Sequence, residues 1–310
     1  MWRYIGKRIG LMLLSLWLIS TLTFWLMHAI PGDPFTSDRN LPEQTLANLE
    51  AQYGLDKPKP VQYLIYMGNL LKLDFGISIN HMGRSVNDML ADGFPVSAQL
   101  GAQALILATC AGIVMGTVAA LRQNRLPDYT LMVLAVLGIS IPNFVIAPLL
   151  QKYLGLEWDW LPIAGWGSFD QTILPAMALA FTPLALVTRL MRSSMLDVIS
   201  QDYIRTARSK GLPPWRVITR HTLRNAIIPV LTILGPLTAG ILTGSFVIEQ
   251  IFSIPGIGAY FVESIANRDY PMIMGTTIFY SAFLVGMNFL VDLTYGLVDP
   301  RIKIGAKEGA

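Results

Sequence analysis

The most chemically distinctive stretch of this sequence is a cluster of positive charge between Asp202 and Pro229. Six Arg or Lys side chains and one His fall within the 23 positions from 202 to 224. Such a cluster can fix the orientation of a membrane protein, meet anionic lipid, bind nucleic acid or contact another protein. A nucleic-acid role is disfavoured, because no aromatic stacking pattern accompanies the charges.

The rest of the sequence offers little for catalysis. It contains no G-x-x-x-x-G-K-[ST] loop, no H-E-x-x-H motif and no G-x-S-x-G motif. The three histidines, at positions 28, 81 and 221, lie on different segments and are not expected to form a metal site. Asp292 is interpreted as a helix-end cap or ion-pair partner, which disfavours a proton-driven pump. We therefore expect no enzyme, no metal site and no cofactor on this chain.

The composition indicates a membrane protein. Of the 310 residues, 53% are hydrophobic and only 14% are charged, well below the quarter that is usual in soluble domains. About 20 apolar residues suffice for a helix to cross the hydrocarbon core. Six apolar runs approach or exceed that length, which predicts an all-α membrane protein with six transmembrane helices: Ile9–Ile30, Ser97–Leu121, Tyr129–Gln151, Gln171–Thr188, Asn225–Ile248 and Pro271–Val291.

The distribution of Lys and Arg predicts the orientation of these helices. With the N-terminus in the cytosol, 16 of the 23 basic residues fall in inner segments, so both termini are expected to be cytosolic. The first apolar run is too long for a signal peptide and no cleavage motif follows it, so we expect it to be retained. The expected organisation is residues 1–30 with the first helix, an extracytoplasmic region at 31–96, and a core of five helices at 97–310 with a cytosolic loop at 192–224.

The sequence predicts the local structure of both non-membrane stretches. In the outer region we expect a turn at 31–34 and an amphipathic helix near Leu41–Tyr53, ending at Gly54. In the cytosolic loop we expect two helices that meet at a tight corner. Ser193 or Ser194 is expected to cap the first, and Gly211 to end it with a positive φ.

The second helix of the loop is expected to begin at Pro213-Pro214 and to enter the fifth span without a break before Pro229. Movement of the loop would then pass directly into the membrane. Since the chain shows no energy source of its own, a contact between this loop and a separate motor protein is the leading interpretation.

Small residues indicate how the spans pack. Ala104, Ala108, Gly112, Gly116 and Ala120 recur every four residues in the second span, giving a face that another helix can approach closely. Gly240 and Gly244 repeat this spacing in the fifth span. Prolines within the spans suit kinked helices around a conduit, although static bundles contain them too.

The sequence resembles the membrane subunit of an ABC importer of the peptide-permease branch. The corner is similar to the loop by which importer permeases engage their ATPases, in the form D-Y-I-R-T-A-R-x-K-G at 202–211. The likeness extends over nearly the whole chain, through P-G-D-P at 31–34, S-I-P-N-F at 140–144, R-D-Y-P at 268–271 and D-P-R-I-K at 299–303. It is greatest to the first permease subunit of an oligopeptide transporter, with dipeptide, nickel and glutathione permeases as alternatives.

The resemblance implies a type I importer permease in the cytoplasmic membrane, working by alternating access. It implies a second homologous permease, two ATPase subunits that hold ATP and Mg²⁺, and an extracytoplasmic peptide-binding protein. The seven residues expected to carry the ATPase contact are Tyr203, Arg205, Ala207, Gly211, Leu212, Pro214 and Trp215.

A separate set is expected to form an outer gate on the substrate pathway, just beyond the fifth span. Its members are Ser245, Glu249, Gln250, Pro255, Gly256 and Gly258, with Ile257 inside the same turn. An ordinary outer loop is the alternative for this set. For the whole chain, the alternatives from other classes are a passive channel and an intramembrane enzyme, and the absence of a recognisable nucleophile–base pair disfavours the latter.

Overall fold

A computed structural model describes residues 2–29, 44, 50–51, 53–81, 83–243 and 245–298 of the chain. Within these ranges the regular structure is helical, apart from one isolated antiparallel bridge between Ile77 and Ser85. Four helices are long and apolar enough to cross a membrane, and the number rises to six if each of two bent helix pairs is one span. The all-α membrane class is thus confirmed, while the orientation of the termini stays a prediction.

Twelve helices carry the described part of the chain. The first six are α1 (Trp2–Ala29), α2 (Lys59–Leu71), α3 (Val86–Leu121), α4 (Leu126–Ser140), α5 (Asn143–Leu150, continued by a π-helical segment at Gln151–Glu157) and α6 (Phe169–Ile199). The remaining six are α7 (Asp202–Ser209), α8 (Pro214–Ala226, π-helical at Val217–Leu223), α9 (Ile228–Thr243), α10 (Phe246–Ile251), α11 (Ile257–Asn267) and α12 (Tyr270–Val298).

The chain divides into two compact units. Of the described residues, those up to 96 and those at 255–286 form unit 1, and those at 97–254 and 287–298 form unit 2. The domain boundaries expected from the sequence stay a prediction. Several sequence expectations lie outside the described residues: the 31–34 turn, most of the helix near Leu41–Tyr53, Gly244, the side chain of Asp292 and the 299–303 motif.

Unit 1 is organised around the buried carboxylate of Asp269. Its Oδ2 atom accepts hydrogen bonds from Ser78 Oγ at 2.5 Å and from the backbone N–H of Asn80 at 3.2 Å, and its Oδ1 atom accepts one from the N–H of Met272 at 3.1 Å. Asp269 thus caps α12 and ties it to the turn before α3. Burial and this carboxylate raise the pKa of Tyr53, whose hydroxyl donates to the carbonyl of Ser78 at 3.1 Å. The 268–271 motif therefore has a structural role.

In unit 2, α3 and α4 pack closely on α6 through glycines. A Cβ atom at Gly116 would lie 2.5 Å from the carbonyl oxygen of Thr188, and one at Gly112 would lie 2.7 Å from Val187 Cγ1. On α4, a Cβ at Gly138 would lie 2.8 Å from Ala185 Cβ. A Cβ at Gly240, in contrast, would have no heavy atom within 4 Å. The close approach therefore involves α3, α4 and α6 and not the Gly240 position of α9.

Gly116→Ala is expected to destabilise the protein by about 1–3 kcal/mol, because the added methyl group overlaps backbone atoms that cannot move aside. Thermal unfolding of the purified protein measures this change. Gly240→Ala is the matched control, since its methyl group enters open space and alanine favours a helix. Equal unfolding temperatures for the two variants would contradict the packing role of Gly116.

The third apolar run does not form one unbroken helix. It divides at Ile141-Pro142 into α4 and the α5 segment, whose axes differ by 109°. Pro142 restricts the residue before it to extended backbone, and Ile141 has ψ near 121°. Beyond the bend, Thr182 Oγ1 of α6 donates to Asn143 Oδ1 at 2.8 Å. The sequence predicts one span from Tyr129 to Gln151 with prolines that suit a kink, and the bend lies at one of these prolines. That the two arms together form one span stays a prediction.

Candidate coupling site

The first helix of the cytosolic loop begins later than predicted. The α6 helix continues unbroken to Ile199, so Ser193 and Ser194 lie inside it, and Ser194 is buried. The α7 helix starts at Asp202 after Gln201, which makes no side-chain capping bond. The predicted serine cap is therefore wrong, because the helix does not end where its apolar run ends.

The corner itself has the predicted backbone. Gly211 has φ +74°, and its N–H donates to the carbonyl of Arg208 at 2.9 Å. The N–H of Leu212 donates to the carbonyl of Ala207 at 3.4 Å, which closes the end of α7. Pro213 is extended and Pro214 is the first residue of α8. Both the positive φ and the proline start are confirmed.

A small apolar core joins the two helices of the corner. Ile204 and Ala207 of α7 and Val217 of α8 are buried together, with Val198 and Leu212 packed against them. This arrangement makes the corner one packed body, so a force applied to α7 is transmitted to α8.

A polar contact supports the same core from outside. The Nδ2 atom of Asn225 donates to the hydroxyl oxygen of Tyr203 at 3.0 Å, linking the far end of α8 to the first turn of α7. Asn225 was not among the residues selected from the sequence. Its position at the start of the fifth apolar run is the only signal that a sequence reading offers.

The predicted site residues divide into two groups by exposure. Ala207 is buried and Leu212 half-buried, and both hold the corner together. Tyr203, Arg205, Gly211, Pro214 and Trp215 are exposed. Trp215 has 62% of its surface exposed, with the Arg216 guanidinium 5.4 Å from its ring centroid. Exposed aromatic and Arg side chains are typical of protein contact surfaces.

The connection from the corner to the membrane is bent. Inside α8, Thr222 Oγ1 donates to the carbonyl of Val217 at 3.2 Å within the π-helical segment. The axis then turns by 48° between Ala226 and Ile228, where α9 begins. The expectation of an unbroken helix up to Pro229 was wrong. The two helices are nonetheless joined by a single residue, so α8 is directly continuous with α9.

An ion pair beside the site was missed by the sequence reading. Arg192 of α6 donates to both carboxylate oxygens of Asp128 of α4. The distance is 2.5 Å from Nε to Oδ1 and 2.7 Å from Nη2 to Oδ2. The Asp128 side chain is only 2% exposed and that of Arg192 is 24% exposed. Asp128 also accepts from the N–H of Asn124 at 3.0 Å. The available signal was an acid in the first turn of an otherwise apolar helix.

The six gate residues are placed in different surroundings. In unit 2, Ser245 and Glu249 are fully buried and the Ser245 hydroxyl donates to Glu249 Oε1, whereas Gln250 is exposed. In unit 1, Pro255 is exposed while Gly256 and Gly258 are buried. The irregular segment ends at Gly256, since Ile257 and Gly258 already belong to α11. Their role as a gate stays a prediction.

Two family models match the chain along most of its length. The N-terminal domain described as "Binding-prot-dependent transport system membrane comp, N-term" matches residues 1–101. The domain described as "Binding-protein-dependent transport system inner membrane component" matches residues 112–304, which is more than half of the chain. The chain belongs to this family. It is a multi-pass membrane permease component of an ABC importer.

Curated relatives of this permease match it nearly end to end. The dipeptide transport system permease protein DppB of Bacillus subtilis (strain 168) is 54% identical over 98% of this chain and 99% of its own length. The oligopeptide transport system permease protein OppB of Escherichia coli (strain K12) is 45% identical over 93% of this chain and 95% of its own. Both are named as peptide transport permeases.

A solved structure supports the fold of the permease. It is described as "Crystal structure of an amino acid ABC transporter with histidines" and aligns with a TM-score of 0.53 at 16% identity. The alignment covers 68% of this permease and 95% of that chain. At this identity the likeness concerns the fold alone.

Proposed function

We propose that this permease forms one half of a heterodimeric pathway that imports peptides across the cytoplasmic membrane by alternating access. The observation that carries the proposal is the packed corner at α7 and α8. It presents exposed Tyr203, Arg205 and Trp215 side chains and is directly continuous with α9. A protein docked on these side chains can therefore move a membrane helix without an intervening flexible linker.

The docked protein is an ATPase subunit in this proposal. Two such subunits bind ATP and Mg²⁺ and hydrolyse the nucleotide, while this chain holds no nucleotide itself. A second, homologous permease completes the pathway, and an extracytoplasmic binding protein delivers the substrate. Nucleotide binding then shifts the population between inward-open and outward-open states.

The substrate class comes from the curated relatives. The oligopeptide permease that the sequence resembles and the dipeptide permease are both close in sequence, so we propose peptides as the class. Uptake of a labelled tripeptide into cells, with unlabelled dipeptides, longer peptides, glutathione and nickel ions as competitors, tests this proposal. Competition by peptides alone supports it, and competition by nickel or glutathione alone contradicts it.

Arg205→Glu is expected to weaken ATPase binding about tenfold, which corresponds to about 1.4 kcal/mol. In the isolated chain Arg205 lies 3.8 Å from Asp202, an exposed and weak pair, so its charge is available to a partner. The measurement is the amount of ATPase that co-purifies with the permease.

Arg220→Glu serves as the control for Arg205→Glu. It makes the same change in net charge at an exposed position within the π-helical part of α8. Unchanged ATPase recovery with Arg205→Glu, or equal loss in both variants, would indicate that the basic residues act only through membrane orientation. Recovery of no ATPase with the unmodified permease would favour a passive channel.

A further inference from the structure

A basic pocket lies beside the corner, within unit 2. It has a volume of about 430 Å³ and is lined by Arg122, Gln123 and Arg125 of the α3–α4 loop, by Ile199 at the end of α6 and by Arg208 of α7. None of these residues is among the seven assigned above to ATPase binding, although Arg208 lies on the same helix as Tyr203 and Arg205. The pocket therefore adjoins the proposed ATPase contact without sharing its residues.

The three arginines that line this pocket form no ion pair within the part of the chain that the structure describes. Arg192, in contrast, is neutralised by Asp128. Three like charges around one concave surface repel each other and attract an anion. An arginine fork is also suited to phosphate, because it donates two parallel hydrogen bonds.

The surroundings of the pocket indicate which anion. The apolar helix α3 ends at Leu121, which lines the pocket, and only four residues separate it from the start of α4. Leu126 and Tyr129 of α4 are 76% and 59% exposed. Exposed apolar and Tyr side chains next to basic ones are typical of the boundary between hydrocarbon and headgroups.

We propose that this pocket binds the phosphate headgroup of an anionic phospholipid. The acyl chains would cover the exposed apolar residues, and the three arginines would surround the phosphate. One wall of the pocket is the α3–α4 loop, in which the N–H of Asn124 donates to Asp128, the partner of Arg192. The other wall includes Arg208 of the helix α7. The bound lipid thus braces the corner against the α3–α4 loop.

The test compares lipid retention by two charge-matched triple variants. The pocket variant is Arg122→Gln, Arg125→Gln and Arg208→Gln, and the control is Arg216→Gln, Arg220→Gln and Arg224→Gln. Each purified protein is placed in phosphatidylcholine nanodiscs with about one-fifth phosphatidylglycerol. Phosphatidylglycerol enrichment around the permease is measured by mass spectrometry after detergent extraction. We expect about a tenfold loss in the pocket variant and less than a twofold loss in the control.

Three further arms distinguish a bound lipid headgroup from diffuse charge, a free anion and a protein partner. Replacement of the same three arginines by Lys keeps the charge but not the paired donors, so we expect part of the enrichment to be lost, and enrichment equal to that of the unmodified protein would favour diffuse charge. Thermal unfolding checks that each variant is folded. Equal loss in the two Gln variants would overturn the proposal in favour of diffuse charge. Displacement of the lipid by millimolar inorganic phosphate would assign the pocket to a free anion. Lost ATPase recovery with unchanged lipid enrichment would assign it to a protein partner.

Discussion

Peptide uptake is expected to fall by about tenfold or more in Gly211→Val, although the protein is still inserted into the membrane. Gly211 has φ +74°, a left-handed conformation that costs an L-residue about 1–2 kcal/mol and a β-branched one more. No heavy atom lies within 4 Å of a Cβ at this position, so the cost is conformational and not steric. We expect the corner to relieve the strain by changing its angle, which would separate the proposed ATPase contact from α9.

The measurement for Gly211→Val is peptide uptake alongside ATP hydrolysis by the assembled transporter. ATP hydrolysis is expected to persist while uptake is lost. Gly211→Asn is the matched control, because Asn tolerates the left-handed conformation and adds a side chain of similar size. Uptake at the original level in the Val variant, or equal losses in Val and Asn, would show that the corner conformation is not required.

Asp128→Ala is expected to lower the stability of the permease by about 3 kcal/mol, because it leaves the Arg192 charge without its partner. This expected loss of stability lies at the lower end of the range for broken buried ion pairs, because the Arg192 side chain is 24% exposed and water reaches it. Thermal unfolding in detergent measures the loss. The double variant Asp128→Ala, Arg192→Met is expected to recover part of it, because no unpaired charge remains.

The chain supplies a control for this ion pair. Arg84 and Asp92 lie 2.6 Å apart but are well exposed, so Asp92→Ala is expected to cost less than about 1 kcal/mol. If Asp128→Ala costs no more than Asp92→Ala, the Asp128–Arg192 pair contributes no more than an ordinary surface contact. The α3–α4 loop would then have to be held by other contacts.

The sequence was sufficient wherever local chemistry determines the structure. A glycine followed by two prolines permits few backbone conformations, so the corner at Gly211 was predicted with its positive φ. Apolar runs of bilayer length correspond to long helices or bent helix pairs, because their length and composition can be read directly from the sequence. The family resemblance, carried by motifs along the chain, was confirmed by the comparisons.

The sequence was insufficient where distant residues decide. Pro142 accounts for the position of the bend, but the hydrogen bond beside it joins Asn143 and Thr182, which are 39 residues apart. The Asp128–Arg192 pair joins positions 64 apart. The end of α6 at Ile199, beyond its apolar run, depends on packing of Met191 and Met195 against α9 and its neighbours. Pro142 and Asp128 are each visible as local signals, but no local pattern identifies the distant residue that each contact requires.

The 109° bend between α4 and α5 has a consequence for biogenesis. Each arm has 15 residues and is about 22 Å long at helical rise, which is shorter than a hydrocarbon core of about 30 Å. Neither arm is therefore long enough to cross the bilayer alone, and the hydrogen-bond partner of Asn143 at the bend is Thr182, 39 residues further along the chain. We therefore expect this segment to reach its final position only after α6 has been synthesised.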